Sequence, residues 1–293
     1  MTVAGEGSAE AHLLEVDGLS VAFGGSEGII RAVDGVSFTV GREKLGIVGE
    51  SGSGKSTVGR AILRLTPPHA RVEARRLAFA GIDLMRAGER QMRAIRGRRI
   101  AMILQDPKFS LNPVVTVGEQ IAETYRLHHR SGRGEAKARA LAMLDAVQIR
   151  EPERVYRLYP HQVSGGMGQR VMIAMMLVAD PDLLIADEPT SALDVTVRAE
   201  VLGLLDGLIA SRGLGVIFIS HDLNLVRTFC DRVLIMYAGR IVEALPAAGL
   251  DSARHPYTRG LLEALPRIHA PRPRLSVLRR DPAWLTAPSV AAP

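Results

Sequence analysis

Apolar residues along this chain fall into runs of different period, and their order predicts the architecture. Short aliphatic runs recur at Lys44-Leu45-Gly46-Ile47-Val48, Ile100-Ala101-Met102-Ile103-Leu104, Leu183-Leu184-Ile185-Ala186 and Gly215-Val216-Ile217-Phe218-Ile219-Ser220. Runs of this kind suit strands buried on both faces of a parallel sheet. Leu13 to Phe23 alternates instead, with Leu19, Val21 and Phe23 on one face, and after the turn residues 24–28 a second strand is expected over Ile30 to Val40. A strand pair follows over Arg71 to Leu84, then a polar, arginine-rich segment through Arg99. Helical spacing marks Thr57 to Leu65, which stops before Pro67-Pro68. Residues from about 112 to 160 read as helices, with turn signals at Asn112-Pro113, Ser131-Gly132 and Glu151-Pro152 and no strand-like run between them. A strongly apolar helix covers Val171 to Ala179, and another runs to about Arg212. Two last strands, near Val233 to Tyr237 and Ile241 to Glu243, flank a hairpin turn at Ala238-Gly239-Arg240. The pattern predicts an α/β chain with an all-helical insert, preceded by a disordered lead-in over residues 1–12.

Between the first aliphatic strand and its helix lies Gly49-Glu50-Ser51-Gly52-Ser53-Gly54-Lys55-Ser56-Thr57, which matches G-x-x-x-x-G-K-[ST]. Strand before and helix after is the context that gives this phosphate-loop pattern its meaning. Glycines let successive backbone N–H groups turn toward one anion, and the positive end of the following helix adds to that field. Lys55 is expected to reach the β- and γ-phosphates, and the Ser56 hydroxyl to bind Mg²⁺. The motif points to a nucleotide phosphate, not yet to what its energy is used for.

Other candidates sit where strands end. Gln105 leaves the sheet at a carboxyl end, where ligands bind in open α/β folds and where a glutamine can coordinate Mg²⁺ and sense the γ-phosphate. Asp187-Glu188 closes an aliphatic strand; Asp187 suits a Mg²⁺ ligand acting through water, and Glu188 a base polarising an attacking water. His221 ends the next strand, placed to contact the γ-phosphate or to serve the fold. Phe23 is positioned either to stack on an adenine or to fill the core. Ser164-Gly165-Gly166 opens a helix, a second anion-binding start. Two cradles in one chain mean that one site uses both, or that each completes a site on another copy.

Composition narrows the setting. At 293 residues and 47% hydrophobic content, the chain can bury a sizeable core, and with 4% aromatics that core must be aliphatic and methionine-rich. The formal net charge of +6 is carried mostly by scattered arginine, which reads as a solvated surface rather than a nucleic-acid partner. One cysteine, Cys230, excludes an intrachain disulfide framework and any multi-cysteine metal site. No signal-peptide pattern opens the chain, and the longest apolar run, Val171 to Ala179, is far short of a membrane span. The expectation is a soluble chain of a reducing compartment whose membrane contact, if any, comes through a partner.

In their order these motifs resemble the ATP-binding subunits of ABC transporters: Gly49–Thr57 as Walker A, Gln105 as Q-loop, Val163–Arg170 as signature, Leu183–Glu188 as Walker B and base, Ser191–Asp194 as D-loop, and His221 as switch. The resemblance covers nearly the whole chain. Gln105-Asp106-Pro107 with Leu111-Asn112-Pro113, Tyr159-Pro160-His161-Gln162 and His255-Pro256-Tyr257-Thr258 narrow it to the oligopeptide/dipeptide/nickel importer branch. The resemblance implies a P-loop NTPase (RecA-like) core over 13–250 with an antiparallel β subdomain, a helical subdomain at about 106–165, and a C-terminal extension over 251–293. It implies ATP and Mg²⁺, with Mg²⁺ held by Ser56, Gln105 and Asp187, and catalysis by Glu188, His221 and Gln105. It further implies two cassettes packed head to tail, so that Ser164, Gly165, Gly166 and Gln169 act in trans and Asp194 lies in the D-loop between them. The partners implied are a second, non-identical ATPase subunit, two membrane permeases against the cytoplasmic face of the membrane, and an extracytoplasmic binding protein.

Two departures stand out. The signature has Val163 where Leu or Phe is usual and Gly168 where Arg or Gln is usual, with Ser-Gly-Gly intact. Many members of the branch carry cysteines after the His-Pro-Tyr-Thr stretch that can hold an iron–sulfur cluster, whereas residues 265–293 here contain none, so no such cluster is expected. A soluble ABC-type ATPase acting on DNA or ribosomes would call for a long coiled-coil insert or two cassettes in one chain; a nucleotide-binding regulator would not need Asp187, Glu188 and His221 together.

Overall fold

The computed structural model describes residues 12–25, 28–104, 110–191, 193–265, 281 and 284. Two sheets organise them. In the first, β1 (Leu14–Gly25) pairs antiparallel with β2 (Gly28–Val40), β4 (Ala70–Glu73) and β5 (Arg76–Phe79), and β6 (Ile82–Asp83) adds to β5. The alternation read in the sequence sends Leu14, Val16, Leu19 and Val21 into the core.

The second sheet has six strands: β3 (Lys44–Val48), β7 (Ile100–Ile103), β8 (Leu183–Asp187), β9 (Gly215–Ser220), β10 (Arg232–Tyr237) and β11 (Arg240–Pro246). Their order is β11-β10-β3-β9-β8-β7, all parallel except β11 on β10. Every residue of β8 and of β9 is buried; the apolar runs before their polar last residues, Asp187 and Ser220, suit strands covered on both faces. Strand order decides the site. β3, β9 and β8 are neighbours with their carboxyl ends on one edge, so segments far apart in sequence meet there: the glycine-rich loop, His221, and Asp187-Glu188.

Helices Val117–His128, Arg133–Ala146 and Pro152–Tyr156 form the expected insert, with Ile121, Ala122, Ala136, Ala140, Met143 and Leu144 buried between them. The helix Gly165–Leu177 joins this group to the sheet, and its Val171, Ile173 and Ala174 share the same core. It starts six residues before the apolar run read from the sequence, because Ser164 caps it by accepting the Met167 N–H at 3.3 Å. Three further differences appear. The arginine-rich segment contains a short helix, Glu89–Ile95, anchored by buried Met92 and Ile95. Arg71 to Leu84 holds three short strands rather than two. The His-Pro-Tyr-Thr stretch opens a helix, Pro256–Ala264, capped by His255 Nδ1, which accepts the Tyr257 N–H at 3.2 Å. Among the described residues no helix is long and apolar enough to cross a membrane.

Candidate functional site: a phosphate cradle between three strand ends

The chain leaves β3 at Val48 and enters the helix Lys55–Ile62 seven residues later. Between them a cavity of about 690 Å³ is lined by Ser51, Gly52, Gly54, Lys55, Ser56, Thr57, Ala32, Glu188 and His221. Gly54 is the helix N-cap, at φ 99°, a conformation that side-chain-bearing residues rarely adopt. Lys55 is only 6% exposed, and its Nζ donates to the carbonyls of Gly49 at 2.8 Å and Glu50 at 2.7 Å, and to Ser53 Oγ at 3.4 Å. Burial pulls the Lys55 ammonium below the usual lysine value, while the carboxylates of Glu188, Asp187 and Glu50 pull it back. A buried cation with carbonyls as its nearest acceptors is poised for a stronger anion, and the open cavity above it has room for a polyphosphate.

Opposite the loop, Ser56 Oγ donates to Asp187 Oδ1 at 2.8 Å. Asp187 is 4% exposed, and burial raises its pKa against the lowering effects of the Ser56 hydrogen bond, Arg60 and Lys55. A hydroxyl and a buried carboxylate side by side make the hard oxygen pair that suits Mg²⁺, which takes only one or two protein ligands when phosphates and water complete its shell. The residues therefore fit the ion: Ser56 and Asp187 would hold it, and when bound it would neutralise phosphate charge. Among the described residues there is no cluster of three or more His, Cys, Asp or Glu that could hold a metal unaided.

Glu188 turns out of β8 with φ at 48°, its N–H donating to the Ile219 carbonyl of β9 at 2.9 Å. A glutamate in the left-handed region costs backbone energy, which the paired strand ends supply. The turn directs its side chain into the cavity, where Oε1 lies 3.0 Å from His221 Nδ1. With Nδ1 protonated, the imidazole donates to the carboxylate and fixes its orientation. Glu188 is the half of the pair shielded from water, at 18% side-chain exposure against 62% for His221. A shielded carboxylate with an orienting donor is equipped to take a proton from water beside the phosphates.

The other predicted residues divide. Phe23 does not line the cavity; its half-buried ring packs against the β1–β2 core, 6.1 Å from the His69 ring. Asp194 caps the helix Val195–Arg212, accepting the N–H groups of Thr196 at 3.1 Å and Val197 at 3.0 Å. Gln105 lies outside the described residues. Ser164, Gly165 and Gly166 stand at a capped helix start, and nothing from 163–170 lines the phosphate cavity. Gln169 is a correction: it was expected to act in trans, yet it is 1% exposed and its Nε2 donates to the Pro189 carbonyl. Four residues past Gly165, about one helical turn, its side chain points inward, where it ties the helix Gly165–Leu177 to the residue after Glu188. The sequence also gave no sign that Tyr257, more than two hundred positions away, donates or accepts at the loop; its hydroxyl accepts the Glu50 N–H at 3.0 Å.

Comparison with known proteins agrees with this geometry. The family model for the ABC transporter domain matches residues 33–191. The chain is 52% identical over 257 residues to the probable peptide ABC transporter ATP-binding protein y4tR of Sinorhizobium fredii, covering 87% of this chain and 77% of that one. It is 47% identical over 268 residues to the dipeptide transport ATP-binding protein DppD of Escherichia coli, covering 91% and 82%. Among solved structures, the dimeric ATP-binding cassette MJ0796, in a post-hydrolysis state bound to ADP and Pi, superposes with a TM-score of 0.71 at 29% identity, over 80% of this chain and 98% of that one. Loop, carboxylate pair and His221 on adjoining strand ends, together with these matches, establish that the chain belongs to the ABC transporter family of ATP-binding proteins.

Proposed function

We propose that this chain is the ATP-hydrolysing subunit of a membrane importer for di- and oligopeptides. The observation that carries the hydrolytic part is the convergence of Lys55, the Ser56–Asp187 pair and the Glu188–His221 pair on one cavity. In this reading Lys55 exchanges its carbonyl partners for the β- and γ-phosphates, Ser56 and Asp187 hold Mg²⁺, and Glu188 accepts a proton from the attacking water while His221 orients it. Gln105 would join the Mg²⁺ shell. The peptide part is supported by the peptide and dipeptide transport named for the relatives y4tR and DppD, at 52% and 47% identity.

The absence of any 163–170 residue from the cavity lining supports an arrangement in which Ser164, Gly165 and Gly166 serve the site of a second, non-identical cassette. The dimeric state of MJ0796 offers a precedent for cassette pairing. The remaining partners would be two permeases at the cytoplasmic face of the membrane, met through the helical insert, and an extracytoplasmic binding protein. ATP binding then closes the pair and hydrolysis releases it, a population shift set by γ-phosphate contacts.

Uptake of a labelled dipeptide and of Ni²⁺ in cells carrying wild type or Glu188→Gln tests the reading. Loss of dipeptide uptake alone is the expected result. Loss of Ni²⁺ uptake alone would move the subunit to a metal importer, and unchanged uptake of both would overturn the import reading.

A further inference from the structure

The phosphate loop is held from behind by residues that lie after the cassette. Tyr257, in the first turn of the helix Pro256–Ala264, is completely buried, and its hydroxyl accepts the Glu50 N–H at 3.0 Å. The Glu50 carbonyl in turn accepts from Lys55 Nζ at 2.7 Å and from the Ser53 N–H at 3.2 Å. Glu50 is therefore gripped at both backbone polar groups, on one side by Lys55 of the phosphate loop and on the other by the C-terminal helix.

The Tyr257 ring is itself held. It lies 4.6 Å from the Tyr237 ring at the end of β10 and 5.6 Å from Trp284, whose ring is 5.4 Å from Tyr237. Pairs at these separations and tilts are favourable beyond the apolar area they bury. Trp284, the chain's one tryptophan, donates its N–H to the Asp281 carbonyl at 3.1 Å. The same β10–β11 hairpin touches the loop directly, because the Gly239 N–H donates to the Ser53 carbonyl at 3.0 Å. The helix's entry is fixed by buried Glu243, whose Oε1 accepts the N–H groups of Arg254 at 2.7 Å and His255 at 3.3 Å. Between helix and loop a cavity of about 410 Å³ is lined by Val48, Gly49, Glu50, Ser51, His221 and Leu261, so the C-terminal helix faces the switch histidine as well as the loop.

We propose that Tyr257 is a positioning residue of the nucleotide site, setting the Glu50 backbone so that the loop presents its N–H groups to phosphate, and that Trp284, packed edge-on to Tyr237 and tilted against Tyr257, acts through Tyr257 on nucleotide affinity. The inference rests on the phosphate loop being the ATP site. A hydroxyl that fixes one loop amide preorganises the cradle, and its loss weakens binding by about three- to tenfold, the worth of one ordinary hydrogen bond. Linkage then requires the converse: if Trp284 packed against Tyr257 favours the binding geometry, nucleotide must favour that packing.

The test uses the purified full-length chain, Tyr257→Phe and Trp284→Ala, with Kd for a fluorescent ATP analogue, emission of Trp284 during an ATP titration, and KM and kcat of the assembled transporter. The wild type should show a saturable change in Trp284 emission with ATP. Tyr257→Phe should raise Kd and KM about three- to tenfold, leave kcat within about twofold, and diminish the emission change. Trp284→Ala should raise Kd in the same direction, and it keeps the proposal testable should Tyr257→Phe fold poorly. Wild-type Kd in either folded variant, or Trp284 emission indifferent to ATP, overturns the proposal while leaving the ATP site intact. Failure of the wild type itself to bind ATP would overturn the site assignment beneath it.

Discussion

Two glycines of the phosphate loop allow backbone strain to be separated from steric exclusion. Gly52 and Gly54 both have positive φ, 81° and 99°, so alanine at either position is strained by about 1–2 kcal/mol. They differ in their surroundings. An alanine Cβ at Gly52 meets nothing within 4 Å, whereas at Gly54 it would stand 2.2 Å from the Ala32 carbonyl oxygen, 1.2 Å inside the 3.4 Å limit of ordinary contact (3.4 − 2.2). Ala32 lies in β2, so the obstacle is backbone held in a sheet, and forcing it aside adds about 1–3 kcal/mol or more. Gly54→Ala should therefore cost about 2–5 kcal/mol against about 1–2 for Gly52→Ala. In a chain of this size each kcal/mol lowers Tm by roughly 2–4 °C. Thermal unfolding without nucleotide should place Gly54→Ala well below Gly52→Ala, and ATP binding, followed in the same samples, should be lost in the former and only weakened in the latter. If Gly54→Ala melts at or above Gly52→Ala, the close approach of Gly54 to Ala32 is not what reserves that position for glycine.

Two further outcomes follow from the site. Burial holds the Asp187 carboxyl above its ordinary pKa, so the stability it contributes is complete below the unfolded carboxyl range near about 4 and is lost as pH rises through the raised folded value. Nucleotide-free Asp187→Asn, which keeps an acceptor for Ser56, should thus melt above wild type at neutral pH with the gap closing in acid, and should gain no stability from Mg-ATP; equal melting across pH would contradict the burial account. Gly168 sits in the first turn of the signature helix with only Val163 Cγ2 near a built Cβ, at 4.0 Å, so a larger residue has room. Gly168→Arg should raise the ATPase rate of the assembled complex modestly, and no change or a loss would count against a role for that departure.

Much of the site was legible because phosphate chemistry forces a contiguous pattern: Gly49 to Thr57 must be one loop between strand and helix, and Leu183 to Glu188 one strand and its end. The parallel core strands were equally plain, since burial on both faces keeps β8 and β9 apolar up to their last residues, Asp187 and Ser220. What periodicity could not show is adjacency. Nothing in the spacing says that β9 lies between β3 and β8, which is what brings His221 to Glu188. Gln169 was grouped with the trans-acting residues through the resemblance alone; no local pattern shows that the helix Gly165–Leu177 turns its side chain inward. The helix Glu89–Ile95 escaped notice because only Met92 and Ile95 are buried, too few positions to set a period. Tyr257 was read as a mark of family, and its contact with Glu50 spans 207 positions that no local pattern reports.

The central claim is that Glu188 is the base of an ATPase whose other parts bind and orient the nucleotide. It is tested most directly by ATP turnover and ATP retention in the assembled transporter, wild type against Glu188→Gln. Glutamine keeps the shape and a hydrogen-bond partner for His221 but cannot accept the proton, so turnover should fall by about 10²- to 10⁴-fold while ATP stays bound and the cassette pair stays closed. Turnover at the wild-type rate in a Glu188→Gln complex that still binds ATP would contradict the account.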